Sequence, residues 1–226
     1  MTDIQLIAVD GPSASGKSSV SREVARQLGW VYVDSGAVYR GLTWAFLRCG
    51  VDTRDAAAVA RALPDMRLEF FLDADRAVRF RIGETVLNAE LRSDEVCRHV
   101  SYVAAVPAVR ARVVAWLRDM TRFGNLVMEG RDIGTAVFPN AALKFYLDAD
   151  LATRARRRHG ELQSQPAPAD VQDVGASLQQ RDALDRGRAV HPLQAAPDAR
   201  VLDTTAMSLA EVVACVLAAY RELPPH

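Results

Sequence analysis

The chain has 226 residues, half of them hydrophobic, which is enough for one sizeable α/β domain with a small insertion. Twenty-eight basic residues balance 28 acidic ones. That balance argues against broad electrostatic binding to nucleic acid or an anionic membrane and leaves room for a local anion site.

The first apolar run, residues 4–9, begins almost at the N-terminus, with no basic leader before it. No run approaches the ~18 apolar residues of a membrane span. The expectation is a cytoplasmic protein. Further strands are expected at 30–33, 125–128, 143–147 and 200–202. Helical spacing of apolar residues fills 20–28, 109–117 and 209–220 between and after them. Near-continuous apolar strands separated by helices predict a parallel sheet covered on both faces.

From Met66 to Leu91 the pattern changes to period two, as in Arg79-Phe80-Arg81-Ile82. Turn residues fall at 73–76 and at Gly83-Glu84. A small antiparallel sheet inserted into the α/β core is expected there, and not a sixth core strand. Residues 163–175 carry Pro166, Pro168 and little apolar periodicity, which predicts an irregular, mobile stretch. Three cysteines, Cys49, Cys97 and Cys215, lie far apart with no C-x-x-C, so buried reduced thiols are expected. Only two lysines occur, Lys17 and Lys144, against 26 arginines.

Lys17 stands in Gly11-Pro12-Ser13-Ala14-Ser15-Gly16-Lys17-Ser18, which matches G-x-x-x-x-G-K-[ST], with Ser19 following. Small residues let successive backbone N–H groups converge on phosphate oxygens. The lysine reaches the β- and γ-phosphates, Ser18 can ligate Mg²⁺, and the helix starting near Lys17 adds its positive end. Ser13 at the third position excludes the dinucleotide fingerprint G-x-G-x-x-G.

Two further charged motifs follow candidate strands, at the sheet edge where α/β proteins bind ligands. They are Asp34 to Arg40 (DSGAVYR) and Glu129 to Thr135 (EGRDIGT). An arginine in either can fork onto a second anionic group, although a turn with one exposed arginine reads equally well for Arg40. Arg181, Asp185 and Arg188 recur at i, i+4 and i+7, which predicts one shared helix face.

Together, DGPSASGKS, DSGAVYR, SYVAAVPAVR (Ser101 to Arg110), EGRDIGT and RDALDRGRAVHPL resemble the bacterial cytidylate kinase family, nearly end to end. The resemblance implies an α/β P-loop nucleoside monophosphate kinase fold with a doubly wound five-stranded parallel sheet. It also implies a monophosphate-binding region over about 36–105 that carries the insert, and a short lid over about 153–180. ATP, Mg²⁺ and CMP or dCMP are the implied partners of a monomer that binds neither nucleic acid nor membrane. Arg40, Arg131 and Arg188 would hold the acceptor phosphate, and Ser35 would also bind CMP. Ser101, Arg110 and Asp132 would read the cytosine edge, and Arg181 and Asp185 would hold the ribose. Arg157, with Arg154, would come down on the phosphoryl group in transfer. The alternatives are another small P-loop kinase, acting on UMP, AMP or a small metabolite, and a nucleotide-binding switch without transfer.

Overall fold

A computed structural model of the chain describes residues 4–162 and 170–223. Five parallel strands form the core sheet: β1 (Leu6–Asp10), β2 (Val31–Asp34), β6 (Leu126–Gly130), β7 (Leu143–Asp148) and β8 (Arg200–Asp203). Their order is β2-β6-β1-β7-β8, so chain order reverses on either side of β1. That central reversal opens a crevice beyond the carboxyl end of β1, and the phosphate-loop motif starts there.

The central strands are buried on both faces, as their unbroken apolar runs predict. On one face pack α2 (Ser35–Arg48), α4 (Asp94–Ala105) and α5 (Pro107–Asp119), whose core includes Phe46, Val103 and Leu117. On the other face pack α1 (Lys17–Leu28) and α8 (Leu209–Arg221), around Val24, Phe145 and Val216. The short helix α3 (Ala56–Ala62) leads into the insert.

The insert is a separate antiparallel sheet of β3 (Glu69–Leu72), β4 (Val78–Ile82) and β5 (Thr85–Val86), turning at the expected residues. Phe80 anchors it to α2. A Cβ on Gly41 would come within 2.4 Å of the Phe80 ring, so the close approach needs glycine.

Four expectations need correction. Residues 171–175 are not irregular: they open α7 (Val171–Arg186), because Val174 and Gly175 bury against α6 (Leu151–Leu162). The rest of that stretch, 163–169, lies outside the described residues. Arg188 is not on the helix face of Arg181 and Asp185, since α7 stops at Arg186 and Gly187. DSGAVYR is not a turn. Asp34 accepts from the Ala37 N–H at 2.9 Å and caps α2, so helix begins at once. Cys49 and Cys215 are exposed and Cys97 is half-buried, because Cys49 ends α2 and Cys215 lies on the solvent side of α8. Among the described residues, no single helix is long and apolar enough to cross a membrane.

Candidate active site

The loop after β1 is shaped for close approach. Gly11, Ala14 and Gly16 all have positive φ (146°, 60° and 93°). A Cβ on Gly11 would fall 2.0 Å from the Leu147 carbonyl oxygen, so only glycine fits. Gly16 caps α1 without any side-chain acceptor, and the first turn holds no acidic residue. The helix therefore presents unsatisfied N–H groups and a positive end to the crevice.

Lys17 is 4% exposed, and its ammonium donates to the Pro12 carbonyl at 2.5 Å and to Ser15 Oγ at 3.3 Å. Burial, and next the Arg131 charge, lower its pKa to about 7. Asp10, buried at the end of β1, accepts from the Ile133 and Gly134 N–H groups at 2.8 and 2.7 Å. Burial raises its pKa to about 6. Glu129 is buried beside Tyr32 and Ser18, and burial, then Asp34, push its carboxyl up.

Ser13 ties the loop to the rest of the molecule. Its N–H donates to Asp182 Oδ1 at 3.1 Å, its carbonyl accepts from Arg154 at 3.1 Å, and its hydroxyl accepts from Arg131 at 2.7 Å. Arg154 also pairs with Asp182, and both are buried. Arg131 donates in addition to Asp185 Oδ2 at 3.0 Å. Burial works against the Arg131 charge, but Asp185 and Asp182 carry its pKa above the ordinary arginine value.

A cavity of about 500 Å³ extends from this loop. Ser13 to Ser19 line one end, and Ser35, Arg40, Ser101, Arg131, Asp132, Arg181, Asp185 and Arg188 line the other. The two motifs at the ends of β2 and β6 thus meet the α7 residues, although 50 to 150 residues separate them in sequence. Arg188 reaches the cavity from the loop after α7, where its Nε donates to the Asp185 carbonyl at 3.0 Å. Arg40 donates to Asp34 Oδ2 at 2.6 Å, and Ser101 donates to Asp185 Oδ1 at 3.4 Å.

Behind Asp132 lies Arg110, which is fully buried and ion-paired to Asp132 Oδ2. Its guanidinium also donates to the Ala104 carbonyl at 3.1 Å and lies 5.6 Å over the Tyr39 ring. The break between α4 and α5, bent by 96°, turns that arginine inward. Burial lowers the pKa of Arg181 and of Arg188 below the ordinary value, so both cations lie in an environment that favours a bound anion.

Gly11 and Pro12 lie at the base of the loop rather than on the cavity wall. Arg154 and Arg157 are not in the cavity either, and nor is Arg110, which is expected at the cytosine edge but is sealed behind Asp132. Arg154 is consumed by Ser13 and Asp182. Arg157 holds Thr204, donating to its hydroxyl at 3.1 Å and its carbonyl at 2.7 Å, and its Nη1 is 3.9 Å from the place a Cβ on Gly16 would take. Arg158 is the arginine of α6 that lines the cavity, beside Glu161 and Cys97.

Sequence reasoning missed Asp10, Asp182 and Arg92. Asp10 precedes the motif and reads as the last residue of a strand. Asp182 adjoins Arg181 and its spacing to Asp185 is a signal, since two carboxylates about one turn apart on a helix need cationic partners. Arg92 lines the cavity from the end of the insert, with no local pattern to mark it.

Mg²⁺ fits the hard oxygen donors here. The Ser18 hydroxyl and Glu129 carboxylate lie together beside the loop, which suits an ion that keeps several waters and nucleotide oxygens. Among the described residues no cluster of three or more His, Cys, Asp or Glu could hold a metal, so a nucleotide would have to complete the site.

A parallel sheet that opens onto a glycine-strained phosphate loop, with buried cations facing it across a cavity, defines a P-loop phosphotransferase. The family model for cytidylate kinase matches residues 7–222. The chain belongs to the cytidylate kinase family, whose members are nucleoside monophosphate kinases. It is 46% identical to the cytidylate kinase of Mycobacterium leprae (strain Br4923), over 95% of this chain and 94% of that one. It is 41% identical to that of Geobacillus thermodenitrificans (strain NG80-2), over 96% of each. A bifunctional pantoate ligase/cytidylate kinase of Synechococcus sp. (strain JA-3-3Ab) is 45% identical over 96% of this chain and 41% of its own length. An uncharacterized protein from Eubacterium ventriosum ATCC 27560 shares the fold, with a TM-score of 0.56 at 9% identity, over 97% of this chain and 99% of that one.

Proposed function

We propose that the chain transfers the γ-phosphoryl group of ATP to CMP and dCMP, giving ADP and the cytidine diphosphate. The observation that carries this reading is Asp132 on the wall of a basic cavity that begins at the phosphate loop, held from behind by the buried Arg110. A cytosine edge offers an amine donor beside a ring acceptor. Asp132 accepts from the amine, and Arg110 meets the ring acceptor only after moving forward from its buried place. Uracil would set a carbonyl against Asp132 and leave buried polar groups unpaired.

The acceptor is already an ionised phosphate near pH 7, so no strong general base is needed. Catalysis is positioning and charge stabilisation of an in-line transfer. Lys17 moves from its own loop carbonyl onto the β- and γ-phosphates. Ser18 would hold Mg²⁺, which would supply neutralising charge to the phosphates. Arg131 sits between donor and acceptor, while Arg40 and Arg188 hold the acceptor phosphate and Arg181 and Asp185 the ribose. The region of about 153–180 acts as the lid, and closure limits hydrolysis of ATP by water. Arg157, or its neighbour Arg158 already on the cavity wall, reaches the transferring group on closure.

The test is ADP formation from ATP and Mg²⁺ with CMP, dCMP, UMP, AMP and GMP offered singly. Fast turnover with the two cytidine nucleotides alone supports the reading, and comparable turnover of UMP defeats the Asp132 assignment. We further assign the enzyme to the cytoplasm as a monomer, which light scattering at the mass of one chain checks for the oligomeric part.

A further inference from the structure

His191 lies in the loop that follows α7, and among the described residues it is one of three non-glycine residues with positive φ, at 51°. Left-handed backbone is costly for an L-residue, and surrounding structure has to hold it. Here the Leu193 N–H and the Arg188 guanidinium both donate to the Asp185 carbonyl, at 2.8 and 3.0 Å, and buried Leu193 closes the loop. The held conformation brings His191 Nδ1 to 3.7 Å from Asp132 Oδ2. That nitrogen is buried and has no hydrogen-bond partner, while two-fifths of the side chain is exposed.

Arg110 pairs with the same oxygen, Oδ2. Two donors thus converge on one side of the carboxylate, and Oδ1 is the oxygen left for a ligand. The charged groups facing His191 are Arg110, Asp132, Arg188 and Arg118, and burial, then Arg110, lower its pKa. The ring is therefore neutral near pH 7. A neutral ring still donates through Nδ1–H, and a gap of this size in a free enzyme closes when a ligand draws the carboxylate into place.

We infer that His191 is a positioning residue for the acceptor base, donating through Nδ1 to Asp132 Oδ2 and so aiming Oδ1 at the exocyclic amine. This rests on Asp132 as the base-reading carboxylate. The energetic role is orientation rather than charge, because Arg110 already supplies the cation.

The experiment is steady-state kinetics with CMP and UMP on the wild-type enzyme and on His191→Ala, His191→Gly and His191→Asn. Asparagine tolerates positive φ and offers an amide N–H near the Nδ1 position, whereas glycine relieves the backbone and offers no donor. His191→Ala and His191→Gly should each raise the KM for CMP about tenfold and narrow the preference over UMP, as the loss of one charge-assisted hydrogen bond implies. The kcat and the KM for ATP should stay within about twofold. His191→Asn should restore most of the loss. An unchanged KM in His191→Ala, or rescue by glycine as complete as by asparagine, overturns the inference, the second by assigning the effect to backbone strain. A wild-type enzyme indifferent to CMP and UMP fails earlier and separately, because it removes Asp132 from base reading altogether.

Discussion

The two ends of the cavity are built on different terms. At the phosphate loop the side chains are engaged within the protein: the N–H, carbonyl and hydroxyl of Ser13 all have partners, Arg154 is paired with Asp182, and Lys17 rests on its own loop, leaving the backbone N–H groups of α1 for a ligand. At the acceptor wall the side chains are not. Arg40 Nε, Arg181 Nε, Arg188 Nη2 and His191 Nδ1 are all buried without a hydrogen-bond partner. An unsatisfied buried polar group costs about 1–3 kcal/mol, so the acceptor wall carries a deficit that an anionic ligand removes. On the proposed reading the donor end is preformed and the acceptor end is completed by its substrate, which would couple acceptor binding to closure.

If that contrast is right, damage at the loop should strike turnover. Lys17→Ala should lower kcat by about 10³-fold or more with little change in the KM for CMP, measured by ADP release under saturating substrates. A loss below tenfold would mean that the buried ammonium is structural.

Damage at the base of the acceptor wall should strike the fold. Asp132→Ala leaves Arg110, which is fully buried, without its counter-ion. Breaking such a pair costs about 3–5 kcal/mol, which urea unfolding would read as a lower midpoint at unchanged slope. Normal stability in this variant would show that the existing bond to the Ala104 carbonyl is enough to hold the Arg110 charge.

Damage at the rim should strike capture. Arg188→Ala should raise the KM for CMP by roughly 10- to 100-fold, as expected for losing a charge-assisted hydrogen bond, with kcat changed only a few-fold. Unchanged CMP affinity would leave Arg188 as a support for the loop after α7, through its bond to the Asp185 carbonyl.

The same contrast explains what could be read from the sequence. The core strands were legible because burial on both faces forces unbroken apolar runs, and the phosphate loop because its strained backbone demands glycine at fixed spacing. The insert was legible because one half-exposed face produces alternation. The partners of charged groups were not. That Arg154 faces Asp182, while Arg158 faces the cavity, depends on the roll of α6 against α7, which the run of arginines in α6 does not reveal. Arg188 continued a helical spacing past the point where Gly187 ends the helix. His191 and Asp10 act through left-handed or strand-end backbone, which leaves no period to detect.

The smallest expected effect tests the donor end in its resting state. Burial holds the Lys17 pKa at about 7 in the free protein, against 10.5 for an ordinary lysine. Folding therefore releases a proton from Lys17 at any pH between those values, and its contribution to stability grows as pH rises through that window. ATP brings phosphate charge to the ammonium and reverses the shift. At pH 7.5 binding should take up roughly three-quarters of a proton, the neutral fraction of a group of that pKa. Titration calorimetry of ATP–Mg²⁺ in two buffers of different ionisation heat would read this as a difference in apparent enthalpy. Lys17→Met should abolish the difference. Identical enthalpies in both buffers for the wild-type protein would mean that the lysine is already charged before ATP arrives, held so by Glu129, Asp182 and Asp10.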